Sequence, residues 1–541
     1  MLKIATCEIV APIVAYLSLV SVAAAKPSAG SIAERVDQTI TRELFNDSTQ
    51  LAPRASDETF LRRVWLDLIG DIPSPEDVVA FVLDSSPDKR QRVVRELLDD
   101  PRYGQNWARY WRDVVFSRRL EERALIAADA MERDLAKQLN DNVPWDKIAA
   151  KFITATGDVR DNGSTAIIMA QSGRTEETAA EISRIFLGIR IQCAQCHDHP
   201  YDRWKREQFH ELAAFFPRIG IRPVRGEARR SFQVIASDHV RRRKPKKEGL
   251  PTAEHRMPDL NDPTAPGVLM QPKFFLTRAK LPRGTSDAER REHLARWLTR
   301  NKWFVTALVN RMWSELVGEG FYEPVDNIGP DREASSPTAV KLLAEKFRQS
   351  GYDLKWLMET ICQTEAYGRD SRPRRGSEGT AFTANVPQRL RGDQLFNAVL
   401  AVLAINENDA PHGRYRAGEG DGPRHRRSTR HRFDEVFGYD PSVSRESVAA
   451  SIPQVLALMN SPQVNRGISA TGDHLLARLL REEENDQDVV VKLYLRCFSR
   501  GPDADELAAA LAYREDIGDR QAAFEDLLWA LLNSAEFHYR R

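Results

Sequence analysis

The chain writes the same helix-starting phrase twice in quick succession, at Ser74-Pro75-Glu76-Asp77 and again at Ser86-Pro87-Asp88. Each places a capping residue before a proline at the first helical position, where the missing N–H has no partner to lose. The acidic residues that follow face the positive end of the helix dipole. Apolar residues then recur at helical spacing. They form stretches at 60–69 closed by Gly70, at 78–83, at 93–98, and in the aromatic stripe Trp107, Tyr110, Trp111 and Val114. The second half repeats the grammar at 289–299, 304–316 before Gly318, 337–348, 354–366, 394–403, 489–498, 506–513 and 524–532. The fold predicted is mostly α, with two helical domains, 26–224 and 286–541, joined by an irregular, partly extended linker at 225–285. That linker is rich in Arg, Lys, Pro and Asp, with an extended piece at 231–236, and is expected to wrap on the domain surface. Residues 407–440 are rich in Gly, Arg and His and too long for a simple connection, which predicts a flexible or functional loop.

The N-terminus has the composition of a secretory signal. Lys3 precedes an apolar run from Ile9 to Val22, and Ala23-Ala24-Ala25 supplies a small-residue cleavage site before Lys26. We therefore expect residues 1–25 to be a signal peptide, the protein to be exported to a periplasmic or extracellular location, and the mature chain to have no transmembrane helix. The apolar run is too short for a stable anchor, and Cys7 precedes it, unlike a lipoprotein cysteine. Lys and Arg total 79 against 78 Asp and Glu, so no global basic field attracts nucleic acid. The basic runs at 241–247 and 424–432 read as solvated loops.

Cys193-Ala194-Gln195-Cys196-His197 carries the most specific chemistry. C-x-x-C-H is the signature of covalent c-type haem attachment: two thiols on one side of a helical turn add to the porphyrin vinyl groups, and the adjoining imidazole becomes an axial iron ligand. The candidate cofactor-binding residues are thus Cys193, Cys196 and His197, with His197 on the haem iron. Met169, His199 and His210 are candidates for a further ligand, although Met169, in the apolar run 166–170, reads first as an ordinary core residue. A zinc site using His197, His199 and His210, or a disulfide, are alternatives, and the zinc reading lacks a second Cys or His pair at finger spacing. Export agrees with haem and with disulfide alike. Cys362 and Cys497 lack motifs and read as buried small hydrophobes or one long-range disulfide.

Other residues admit a structural and a functional reading. Asp198 and Asp202 are turn caps or carboxylates orienting a ligand His. The aromatic stripe at 107–114 is core or a packing face for a porphyrin. The segment from Glu323 to Arg332 groups carboxylates, an amide and an arginine around turn formers, suited to a sugar or cation or to Asx turns and an ion pair. His412, His425 and His431 form a second candidate metal group or solvated loop side chains. No G-x-S-x-G, phosphate loop or H-E-x-x-H occurs, so the common hydrolase and nucleotide classes lack support and catalytic residues stay unassigned.

The segments RRVWLDLIGDIPSPEDV (62–78), RYGQNWARYWRDVV (102–115) and FLGIRIQCAQCHDHPYDRWKREQFHELAAFF (186–216) resemble a planctomycete-type secreted family, domain of unknown function 1549. The stretches at 290–332, 351–369, 387–400 and 526–539 look like its usual companion, domain of unknown function 1553. The resemblance implies an exported protein, commonly with an added N-terminal cytochrome c module, found in the context of polysaccharide or sulfated-glycan use, with no assigned activity. Here the signal segment leads almost directly into the first domain, so any haem is expected on Cys193, Cys196 and His197. Two functions from different classes follow as expectations. One is an exported haem c protein that transfers electrons to a redox partner. The other is a cell-envelope glycan-binding or glycan-processing protein whose Cys/His cluster is a structural zinc or disulfide site. A noncatalytic envelope role is the third.

Overall fold

The computed structural model describes residues 26–224, 231–238, 254–262, 264–373, 379–406, 429–443, 454 and 462–541. The predicted signal peptide, His412 and His425, and the side chain of His431 lie outside the described residues.

The first half is built from α1 (Ala29–Leu44), α2 (Asp57–Ile69), α3 (Pro75–Leu83), α4 (Lys89–Asp99), α5 (Arg102–Phe116), α6 (Ala128–Asn140), α7 (Trp145–Thr154), α8 (Ala166–Ala170), α9 (Thr175–Leu187) and α10 (Arg206–Ala213). Mostly α is the observed class. Ser74 caps α3 as its sequence predicts: its hydroxyl accepts from the Asp77 N–H at 3.1 Å, and the Asp77 carboxylate accepts from the Ser74 N–H at 3.2 Å. The second phrase behaves differently. Asp84 captures the Ser86 N–H at 2.8 Å, Ser86-Pro87 becomes a turn, and α4 starts two residues later behind Asp88. Gly70 ends α2 at φ 69°, the left-handed conformation its position predicts.

The aromatic stripe of α5 is core. Trp107, Tyr110, Trp111 and Val114 are all buried, and Trp111 lies 4.6 Å from Trp145 of α7, ring centre to ring centre. Their faces are filled by protein, which removes them as a porphyrin platform.

β1 (Gly157–Asp158) and β2 (Ile219–Pro223) of the first half form an antiparallel sheet with β3 (Phe232–Ala236) of the connecting region, in the order β1-β3-β2, with Val234 opposite both Gly157 and Ile221. β3 is the extended piece predicted at 231–236. A two-stranded ladder, β4 (Arg256–Met257) with β5 (Val268–Leu269), follows. This connecting region does not only wrap the surface. Phe232, Val234, Phe274, Phe275 and Leu281 enter the same apolar core as α1 and α5, because their burial outweighs the charged composition around them.

The second half comprises α11 (Asp287–Thr299), α12 (Lys302–Val317), α13 (Pro337–Gln349), α14 (Leu354–Cys362), α15 (Glu365–Gly368), α16 (Gly392–Leu403) and α17 (Thr429–Phe437), with further helices from Pro462 to His538. The single helix predicted at 354–366 is broken. α14 stops at Cys362, and Thr364 caps α15 by accepting from the Tyr367 N–H at 3.3 Å. One continuous core runs from Ala29 to Phe382, and a second gathers Leu390 to Phe537 with Leu66 and Ile72 of the first half. The chain end closes the molecule: Arg540 pairs with Asp67 of α2 at 2.6 Å, and Arg63 donates to the Arg541 carbonyl at 2.9 Å. Among the described residues no helix is long and apolar enough to cross a membrane.

Candidate functional site

α9 delivers the C-x-x-C-H turn. Its apolar stripe, Ile182, Ile185 and Phe186, is buried, and the helix stops at Gly188, φ 66°, whose N–H reaches the Ser183 and Arg184 carbonyls. A 3-10 turn, Gln192–Gln195, follows and carries Cys193, with Cys196 immediately after it. In such a turn residues three apart eclipse, so the two thiols stand on one side. Both are exposed and free. The His197 ring is exposed, with Nδ1 2.7 Å from the Asp198 carbonyl. A carbonyl only accepts, so the proton sits on Nδ1 and the neutral ring keeps its lone pair on Nε2. Two free thiols beside an imidazole with an available Nε2 fit the donor set of a covalently held haem.

Two clamps hold this loop. On one side stands the segment from Glu323 to Arg332. The Ile328 N–H donates to Gly188 O at 2.9 Å, Arg190 Nε donates to Asp326 at 2.7 Å, and Arg203 grips Asp331 with its backbone N–H at 2.9 Å and Nη2 at 2.6 Å. Arg332 pairs with Asp202 at 3.0 Å. On the other side, His210 Nε2 donates to Gln195 O at 3.0 Å, Arg206 Nε reaches the same oxygen at 3.3 Å, and Arg206 also binds the Pro258 carbonyl. Trp204, buried against Phe275 at 5.1 Å, fills the space beneath the loop.

Asp326 and Asp331 are therefore committed to protein arginines, and Glu323 accepts from the Gly320 N–H. Asp326 is fully buried and faces Arg184 at 3.1 Å and Arg118 at 3.7 Å as well as Arg190. Burial alone would raise its carboxyl, but Arg184, Arg311, Arg190 and Arg118 together hold it below the usual carboxylate range. Arg184 also binds Glu181 at 2.6 Å, Val114 O at 2.9 Å and the Ser442 hydroxyl at 2.8 Å. The local ion pair expected within the segment is not what forms: Asp326, Asp331 and Arg332 pair with residues far along the chain, Arg184, Arg203 and Asp202 among them. Sequence reasoning missed this hub. Its one legible trace is Glu181 and Arg184 at i,i+3 on an otherwise apolar helix face.

The candidates for a further iron ligand are engaged elsewhere. Met169 is a buried core residue of α8. His199 Nδ1 accepts from the Asp202 N–H at 3.0 Å and the Tyr201 N–H at 3.3 Å, which puts its proton on Nε2 and leaves no lone pair there. His210 spends Nε2 on Gln195 O and Nδ1 on His255 Nε2 at 2.8 Å. Burial pushes both His210 and His255 down to about 4, so the pair is neutral at ordinary pH. Asp198 accepts from the Arg206 N–H at 3.0 Å and pairs with Lys205 at 2.8 Å, a turn-capping role. Asp202 lies 3.3 Å from His199, on the nitrogen that already accepts backbone donors.

Among the described residues no group of three or more His, Cys, Asp or Glu side chains is arranged to hold a metal ion, which leaves the zinc reading without a ligand set. Cys362 and Cys497 are buried free thiols in the two different cores, as small hydrophobes would be. A polar cleft of about 560 Å³ lies between the end of α7, β3 and the start of α11, and its walls include none of Cys193, Cys196 or His197.

Comparison with known proteins places these features in a family. A model described as a protein of unknown function, DUF1549, matches residues 35–220, and one described as a protein of unknown function, DUF1553, matches residues 290–514. The matched regions carry the C-x-x-C-H turn and the segment that clamps it. No curated protein and no solved structure matches the chain. With both of its helical halves matched, the chain belongs to the protein family that joins these two domains of unknown function.

Proposed function

We propose that the protein is an exported carrier of a c-type haem, attached through Cys193 and Cys196 with His197 as one axial ligand, that exchanges electrons with a partner in the cell envelope. The observation that carries this reading is the pairing of two free, exposed thiols on one turn with a His197 ring whose Nδ1 is tied to the Asp198 carbonyl. When bound, the haem supplies one-electron chemistry. The chain supplies the rest. Cys193 and Cys196 would tether the haem, His197 would hold it through Nε2, and Asp198 O fixes the His197 tautomer. The arginine-carboxylate clamp and the His210 bond hold the turn against the two domains. Met169, His199 and His210 are all engaged elsewhere in the protein. Export rests on the signal-like composition of residues 1–25.

The test is a pyridine haemochrome spectrum of protein exported in cells with haem-maturation machinery, beside the Cys193→Ala/Cys196→Ala variant and metal analysis of both. A c-type spectrum present in the parent and absent from the variant is expected, together with reversible oxidation and reduction of the parent; rapid carbon monoxide binding to the reduced parent would count against electron transfer. Parent protein free of haem despite active maturation machinery overturns the proposal.

A further inference from the structure

His210 is buried to 1% exposure, yet it lies directly behind the exposed C-x-x-C-H turn. Its Nε2 donates at 3.0 Å to Gln195 O, the carbonyl that sits between the two thiols in sequence. Because a carbonyl only accepts, Nε2 carries the proton and Nδ1 is the acceptor. The donor to Nδ1 is His255 Nε2 at 2.8 Å, with the two rings stacked at 5.1 Å and 21°. His255 is placed by the β4–β5 ladder, where its own carbonyl accepts from the Met270 N–H at 2.9 Å. Glu176, in the first turn of α9, stands 3.8 Å from His255 Nδ1. A directed hydrogen-bond chain thus runs from the connecting region, His255 to His210 to Gln195, into the attachment turn.

We infer that His210 is a positioning residue for the Cys193–His197 attachment turn, and that His255 sets its tautomer. The inference rests on the haem reading of that turn and extends it to two residues outside the C-x-x-C-H motif. A 3-10 turn of four residues has few internal bonds, the Ala194 N–H to Ile191 O bond at 2.9 Å being one of them. External donors to Gln195 O therefore decide how firmly the thiols are presented. Among the described residues Arg206 is the other such donor, at 3.3 Å, but it is shared with Pro258 O. Imidazole rings buried as a neutral pair give a fixed direction at little entropic cost, since two stacked rings leave few alternative rotamers.

The experiment compares wild type with His210→Ala, His210→Gln and His255→Ala, each exported in cells with haem-maturation machinery and prepared also without haem. Hydrogen exchange is read in the peptide covering 191–198 and in a control peptide from α12, and haem per chain is read by haemochrome. His210→Ala is expected to speed exchange in 191–198 about fivefold or more and to lower haem per chain at least about twofold, with α12 unchanged. His210→Gln, whose amide N–H replaces the lost donor, is expected to restore both toward wild type. His255→Ala is expected to give a smaller rise in exchange at 191–198. Wild-type exchange in His210→Ala overturns the inference. So does an equal rise in α12 with no rescue by Gln, which marks general destabilisation. If wild type itself carries no haem, the haem reading fails, while exchange at 191–198 still decides whether His210 positions the turn.

Discussion

Asp326→Asn tests the clamp, because the amide keeps the shape of the carboxyl while removing its charge and turning one of its two acceptor oxygens into an N–H donor. Removing one partner of a buried ion pair costs about 3–5 kcal/mol when the other charge is left stranded. Here the stranded charges are only partly committed. Arg190 has a side chain 37% exposed and regains water, Arg118 keeps Asp440 at 2.8 Å, and Arg184 keeps Glu181, Val114 O and Ser442. The expected loss is therefore about 2–3 kcal/mol, or roughly 30- to 150-fold in the local opening equilibrium. Hydrogen exchange of peptides covering 188–204 and 323–332 reads this opening directly. The pH dependence has a definite sign. The folded carboxyl lies below its ordinary 3.8, so its stabilisation is complete above that value and is lost as pH falls through the depressed folded value. The gap between wild type and Asp326→Asn should stay constant from neutral pH down to about 5 and close as the medium is acidified below 3.8. A difference smaller than about 0.5 kcal/mol at neutral pH, within the range of an ordinary surface substitution, would refute the clamp.

Two further outcomes test the site and its support. In native haem-free protein at pH 8, iodoacetamide should alkylate Cys193 and Cys196 at least about 100-fold faster than Cys362 and Cys497, since the latter two are buried, with the Cys497 thiol pushed up to about 12 by that burial; equal labelling by mass spectrometry would contradict the exposed turn. Gly188→Ala meets both a φ of 66° and the Ile328 Cγ1 atom 2.6 Å from the new Cβ, and should lower the urea stability by about 2–4 kcal/mol, whereas Gly284→Ala, at φ 78° with no atom within 4 Å, should cost only about 1 kcal/mol. Similar losses at both positions would show that Ile328 does not close on the helix end.

What the sequence determines by itself is local. Ser74 and Asp77 cap a helix because their side chains reach backbone N–H groups three residues away, and Gly70 and Gly318 end helices because the left-handed conformation costs them nothing. The C-x-x-C-H spacing places two thiols and an imidazole within five consecutive residues. Where two local options compete, tertiary contacts settle the matter: Asp84 takes the Ser86 N–H and moves the start of α4, and Thr364 divides a helix whose apolar period runs on unbroken. The roles of the polar residues were decided only by the fold. Asp326 sits 142 positions from Arg184 and reads in sequence as one acid in a turn, and His210 reads as a possible ligand until His255 arrives, 45 positions later, to occupy its second nitrogen. An ion pair or a histidine pair across such separations leaves no periodicity in either strand of sequence, because the folded core, and not the chain, brings the partners within hydrogen-bond distance.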